Sequence, residues 1–247
     1  SKEVRKNDIF FAIKGKKNDG NKFVFQSFKK RASLAIVNKI QKNLKNKHQI
    51  KVKNSLNFLT DSSKIFRKNI NVKIIAITGS CGKTTLKELL GKSLSKIFKV
   101  SISPKSYNNK YGVPLSLFNL NQNDDYGILE VGMDKKGEID YLSKIIQPDV
   151  SVITNINYAH AKNFKSINHI ALAKSEIINN TRTNGFVVLN ADDHFFKFHR
   201  NLALKKNLSV VSFGIKNRRA DIKQISINKE GKKFKLSIKA NKISNSF

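Results

Sequence analysis

The run "IIAITGSCGKTTLKELLGKSL", residues 74–94, constrains the fold more than any other stretch of the chain. Residues 73–77 make a short β-branched apolar run that ends at Thr78 and Gly79, as a buried parallel strand does. Leu86, Leu89, Leu90, Leu94, Ile97 and Phe98 then recur at three- and four-residue spacings, which predicts a helix with one apolar face turned to a sheet. Between strand and helix stands Gly79-Ser80-Cys81-Gly82-Lys83-Thr84-Thr85, a G-x-x-G-K-T-T loop two spacer residues shorter than the usual G-x-x-x-x-G-K-[ST] form. Glycines here let successive N–H groups converge on one anion, and the helix N-terminus adds its partial positive charge. Phosphate is the expected guest. In that reading residues 79–85 bind ATP, Lys83 reaches its β- and γ-phosphates, and the Thr84 hydroxyl ligates the bridging Mg²⁺. The plainer alternative is a glycine-rich turn with a surface lysine.

The rest of the chain supplies a setting for this loop. In residues 1–70, "DIFFAIKG" (8–15) reads as a strand, "KFVFQSFKKRA" (22–32) as a helix and "SLAIVN" (33–38) as a second strand, a small α/β unit. Residues 54–68 read as a polar-faced helix leading to a linker at 69–71. Residues 71–247 alternate: the loop strand and its helix, strands at 126–133 and 149–156, a helix around 167–180, and strands at 185–193 and 208–215. Such alternation predicts an α/β fold with a mostly parallel sheet covered on both faces. From Ile222 the pattern changes to period two, with Ile225, Ile227, Phe234, Leu236 and Ile238 around a Glu230-Gly231 turn. That pattern predicts an antiparallel hairpin.

Composition excludes several classes. No apolar run approaches the roughly 18–20 residues that span a bilayer, so no membrane insertion is expected. The charged opening "SKEVRK" lacks the apolar core of a signal peptide, and a single cysteine, Cys81, forms no internal disulfide. A cytoplasmic location is expected, and Cys81 reads as a small loop residue rather than a catalytic thiol. The net charge of +31 arises from 48 Lys and Arg against 17 Asp and Glu. Its lysines are spread evenly among Asn and Ile, with no arginine-rich tract and no aromatic-basic interleaving, so no nucleic-acid role is expected. The charge is expected instead to draw in anionic substrates.

Four later stretches, "SYNNKYGVPLSL" (106–117), "LEVGMDKKGEI" (129–139), "VITNINYAH" (152–160) and "ALAKSEI" (171–177), together with the shortened loop, resemble the ATPase domain of the Mur ligases. "YNNKYGVPLSL" and "GMDKKGEI" resemble the branch that adds D-alanyl-D-alanine more than the branch that adds the third residue. The opening "SKEVRKNDIFFAIKGKKNDG" is similar to that family's substrate-nucleotide domain. The resemblance implies an ATP-dependent ligase forming a C–N bond, with UDP-N-acetylmuramoyl-tripeptide and D-alanyl-D-alanine as substrates and a monomeric state. It also implies that the chain is an internal piece of a longer protein. The start of the first domain, the end of the ATPase domain and a C-terminal ligase domain would lie outside it, leaving a piece inactive alone.

Residue by residue, Glu130 ends an apolar strand, where open parallel sheets place their ligand sites, and could reach a metal held by Thr84. His160 follows another strand end; alone it reads as structural, and the resemblance makes it a metal ligand. Lys174 reads alone as half of a surface ion pair with Glu176. The resemblance makes it a lysine carbamylated by CO₂, able to hold a second Mg²⁺. It likewise makes Lys83, Glu130, His160 and Lys174 the catalytic set and puts Asn108 and Asn109 on the substrate side, where a plain turn is the alternative. A transport or switch ATPase with a phosphate loop remains as a different class.

Overall fold

The computed structural model describes residues 4–15, 18–44, 47–158, 163–231 and 233–240. They fall into two compact units, Ser1–Phe66 and Arg67–Phe247, a division inside a helix and just before the linker that the sequence suggests.

The first unit holds a three-stranded parallel sheet of β1 (Ile9–Phe11), β2 (Leu34–Val37) and β3 (Gln49–Lys51), with β2 in the middle. Helix α1 (Val24–Lys29) follows a 3₁₀ turn whose first N–H groups are capped by Asp19. Val24 and Phe28 of α1 pack with Ala12, Ala32, Ala35 and Val37, a core small enough to explain the short strands. Helix α2 (Ser55–Lys68) starts where Asn54 Oδ1 accepts the N–H groups of Leu56 and Asn57.

The second unit is built on an eight-stranded sheet. Its strands are β4 (Lys73–Thr78), β5 (Val100–Ile102), β6 (Tyr126–Glu130), β7 (Val150–Ile153), β8 (Phe186–Asn190), β9 (Ser209–Gly214), β10 (Ile222–Glu230) and β11 (Lys233–Ala240). Their order is β11-β10-β9-β8-β7-β4-β6-β5, parallel throughout except for the β10–β11 hairpin. The chain leaves β4 toward β5 and β6 on one side and then crosses to β7 on the other. The carboxyl end of β4 is therefore a topological switch point, where parallel sheets open a ligand crevice.

Helix α3 (Lys83–Leu94) covers one face. Leu86, Leu90 and Leu94 pack against Ile75, Ile77, Ile128 and Val152. The predicted apolar face is wider than the real one, because Leu89, Ile97 and Phe98 are exposed. Helices α5 (Glu138–Ile146) and α6 (Ile167–Asn179) pack together and against β4 and β7. Helix α4 (Gly112–Phe118) packs on β6 and α7 (Phe196–Lys205) on β8 and β9. The antiparallel β10–β11 hairpin forms as the alternation predicts, and its Ile225, Ile227, Leu236 and Ile238 are each more than half exposed.

Candidate active site

At the switch point the loop after β4 takes the shape its glycines permit. Gly79 has φ +147° and Gly82, the N-cap of α3, has φ +81°, both conformations that side-chain-bearing residues rarely adopt. Gly79 is also under steric control, because a methyl group there would run into the Thr154 hydroxyl. Gly79→Ala is therefore expected to cost about 1–3 kcal/mol and to abolish detectable Mg-ADP binding, checked by thermal melts and titration calorimetry. Unaltered nucleotide affinity would show that the loop reshapes without loss.

Leu86 N–H is the first helix amide to bond back into the loop, to Gly82 O at 2.9 Å. The amides of Lys83, Thr84 and Thr85 thus open toward the space above the loop, as at any helix N-terminus. Lys83 lies folded over that loop, its Nζ donating to Gly79 O at 2.9 Å. Beneath it, Thr84 Oγ1 donates to Glu130 Oε2 at 2.7 Å, and Asn108 Nδ2 donates to Glu130 Oε1 at 2.7 Å. Glu130, at the end of β6, is only 2% exposed, and its two oxygens are met by neutral donors inside the fold. A hydroxyl and a carboxylate this close form the hard-oxygen donor pair that suits Mg²⁺. Among the described residues no cluster of three His, Cys, Asp or Glu accompanies them.

Asn108 acts on Glu130, while Asn109 Oδ1 accepts the N–H groups of Tyr111 and Gly112 and so caps α4. Both asparagines, with Lys83, Tyr111, Met133 and Tyr141, line a cleft of about 630 Å³. Lys110, Lys135 and Lys136 stand at the same cleft, which makes its electrostatics attractive to anions. Lys174, on α6, is 2% exposed and does not pair with Glu176 at the surface. Glu176 instead accepts the N–H groups of Gly137 and Asp140 at 2.8 and 3.0 Å, binding the start of α5. Burial, reinforced by the neighbouring Lys83 charge and offset in part by Cys81, pushes the Lys174 amine down to about 7. Cys81 is exposed on the loop, and His160 lies outside the described residues.

Two contributors escape a sequence reading. Lys87, one turn beyond Thr84, is fully buried, and its Nζ donates to Ser103 O at 2.7 Å and to Lys105 O. It ties α3 to the segment that leads to Asn108, yet in sequence it is one more lysine on a helix. Thr154 and Asn155, just past β7, grip the loop itself. They fall within the stretch "VITNINYAH" and just after a strand end, but nothing in the sequence says that they hold the loop.

A glycine-lysine-threonine loop at the switch point of a parallel sheet, with a strand-end glutamate under its threonine, has the form of a P-loop α/β protein. The Mur ligase middle domain matches residues 77–246, and the chain belongs to the Mur ligase family. UDP-N-acetylmuramoyl-tripeptide–D-alanyl-D-alanine ligases from Buchnera aphidicola and Rickettsia prowazekii are similar at 36% and 38% identity, over 89% and 87% of this chain. These alignments take in 47% and 48% of those proteins, so the chain spans about half the length of the curated relatives it matches. A MurF crystal structure from Acinetobacter baumannii superposes with a TM-score of 0.84 at 32% identity, covering 97% of this chain and 51% of that one. MurF of Thermotoga maritima in complex with ADP gives 0.82 at 29%, covering 97% and 54%.

Proposed function

We propose that this chain carries the ATP-binding part, and some of the substrate-binding part, of a ligase joining D-alanyl-D-alanine to UDP-N-acetylmuramoyl-tripeptide in cell-wall precursor synthesis. One observation carries the reading. The two stretches that distinguish this branch in the sequence, around residues 108–111 and 132–138, line one cleft together with Lys83. Nucleotide phosphates at the loop and an acceptor peptide in that cleft would meet beside Glu130.

In the reaction a terminal carboxylate oxygen of the tripeptide attacks the γ-phosphorus of ATP, and ADP leaves. The amine of D-alanyl-D-alanine then attacks the acyl carbon of the resulting acyl phosphate. The C–O bond to phosphate breaks, and the proton lost from nitrogen goes to solvent. Lys83 leaves Gly79 O to hold the negative oxygens of the transferring group, while the amides of residues 83–85 hold the phosphate chain. Thr84 and Glu130 would hold Mg²⁺, which when bound would offset negative charge on the phosphate oxygens. The lysines at the cleft draw in both anionic substrates. We place the protein in the cytoplasm as a monomer, with ATP as co-substrate; no described helix is long and apolar enough to cross a membrane.

The test is phosphate release, measured at the full length of the relatives with Mg-ATP. Release that requires both UDP-N-acetylmuramoyl-tripeptide and D-alanyl-D-alanine supports the reading. Release indifferent to both would make this a P-loop ATPase of another class.

Lys174 is proposed to be carbamylated and, with His160, to hold a second Mg²⁺. A lysine with an ordinary pKa near 10.5 is almost wholly protonated at neutral pH, whereas one held near 7 presents a free amine to CO₂. The amine nitrogen bonds to the carbon of CO₂ as one C=O π bond opens onto oxygen, one proton leaves the nitrogen, and the neutral amine becomes an anionic carbamate. A ¹³CO₂-dependent carbamate resonance lost in Lys174→Met is expected; its absence from the unaltered chain would remove the proposal.

Without CO₂ the same burial sets a pH dependence. Below about 7 the amine is protonated in folded and unfolded chains alike, and the folded state bears the cost of a buried cation. Between about 7 and 10.5 the unfolded chain binds more protons, so stability rises with pH across that window. The rise is expected to be steeper in the unaltered chain than in Lys174→Met, as read by urea midpoints at pH 6 and pH 9.

A further inference from the structure

The phosphate loop lacks two residues of the ordinary form, yet it is held closely from one neighbour. Asn155 takes both polar groups of the Cys81 residue: its Oδ1 accepts Cys81 N–H at 3.0 Å and its Nδ2 donates to Cys81 O at 3.2 Å. Thr154 Oγ1 donates to that same carbonyl at 2.7 Å and fills the space above Gly79. Asn155 O accepts Ser80 N–H at 2.9 Å, and the Ser80 hydroxyl donates to Asn157 O and accepts Asn157 N–H, each at 2.9 Å. Thr154 N–H closes the set on Thr78 O at 3.0 Å, continuing the β4–β7 ladder past its end.

The geometry has a chemical consequence. A Cys81 amide engaged by Asn155 is not offered to phosphate, so the receiving amides are concentrated at residues 82–85, where α3 begins. We propose that Thr154 and Asn155 are positioning residues that fix the shortened loop in its phosphate-receiving shape before nucleotide arrives. Side chains from the next strand end supply the cohesion that longer loops get from their own spacer. This rests on the nucleotide reading above. A loop ordered in advance leaves less conformational entropy to lose on binding, which raises affinity without any new contact to the ligand.

Cys81 is the chain's single cysteine and is exposed, so the loop carries its own reporter. Asn155→Leu and Thr154→Val would be compared with the unaltered 247-residue chain and with Thr154→Ser, which keeps the hydroxyl. The measurements are hydrogen exchange at the Cys81 amide and the Mg-ADP concentration that half-protects the Cys81 thiol from alkylation. Loss of one or two hydrogen bonds is expected to speed amide exchange by roughly tenfold or more and to raise the half-protecting concentration by about tenfold. Thr154→Ser stays near the unaltered values, and β9 amides, distant from the loop, keep their protection in every variant.

Unchanged Cys81 exchange in Asn155→Leu would overturn the brace. So would faster exchange with the same half-protecting concentration, since the contacts would then be structural only. Failure of Mg-ADP to protect Cys81 in the unaltered chain would strike at the nucleotide reading instead, and the exchange rates would still decide whether the brace exists.

Discussion

Lys83→Ala is expected to lower substrate-dependent phosphate release on the order of 10³-fold at the relatives' full length, while moving the melting temperature by no more than about 2 °C. The two halves of that expectation come from different parts of the structure. Lys83 makes one hydrogen bond, to a carbonyl of its own loop, and that carbonyl can turn to water when the ammonium is removed. Little of the fold depends on it. The phosphoryl group in transfer has no such substitute, because the nearby Lys174 is held near neutrality by burial. Lys83→Arg is expected to recover only a small part, since a planar guanidinium does not reproduce a compact ammonium packed over Gly79. A loss below tenfold in Lys83→Ala would mean that the loop does not hold the reacting phosphate.

The loop strand, its helix and the strand-end glutamate were legible because each has a local signature. A β-branched run, glycines that only a turn needs and a 3.6-residue period do not depend on distant residues. Helix α4 was not legible, since a glycine and a proline, Gly112 and Pro114, within seven residues give no helical signature. Both fall in the first helical turn, where proline has no amide bond to lose. Strands β3 and β5 are three residues each, too short to show a period. The site divides in the same way. Thr84 and Glu130 could be foreseen because a motif and a strand end point at one place, and the structure joins them at 2.7 Å.

Lys87, Lys174 and Glu176 read as surface charge, because a sequence weighted toward lysine gives no sign of which cations the packing will enclose. Their burial is a tertiary fact. It depends on carbonyls at residues 103 and 105 and on the start of α5, all far away along the chain. The hairpin, by contrast, was legible as a pairing, because alternation around a Glu-Gly turn is local; what covers its faces is not, and among the described residues Ile227, Leu236 and Ile238 stay exposed.

Arg67→Met is expected to destabilise the second unit by about 3–5 kcal/mol. Arg67 is completely buried. Its Nε donates to Ile146 O at 2.7 Å, Nη1 to Val72 O at 3.0 Å, and Nη2 to Gln147 O at 3.1 Å and Asp149 Oδ2 at 2.8 Å. One guanidinium therefore joins the end of α5 to the starts of β4 and β7. Asp149 adds a second tie by accepting Ile74 N–H at 2.7 Å. Methionine fills much of the volume but takes the guanidinium donor from the Ile146, Gln147 and Val72 carbonyls and leaves the partly buried Asp149 carboxylate one donor short, and a group stranded in this way costs more than the bond it made. Arg182, 3.3 Å from the other Asp149 oxygen, is too exposed to replace it. Arg67→Lys should fall between, because a single ammonium cannot span all four acceptors. Adding Asp149→Asn to Arg67→Met should recover part of the loss, since the stranded charge is removed. Urea denaturation followed by backbone circular dichroism measures all three. The cluster sits at the opposite end of β4 from the phosphate loop, so the Cys81 exchange rate in Arg67→Lys should stay near that of the unaltered chain below its unfolding transition. A cost under 1 kcal/mol for Arg67→Met would mean that the guanidinium is hydrated rather than enclosed, and the start of the central sheet would then need another anchor.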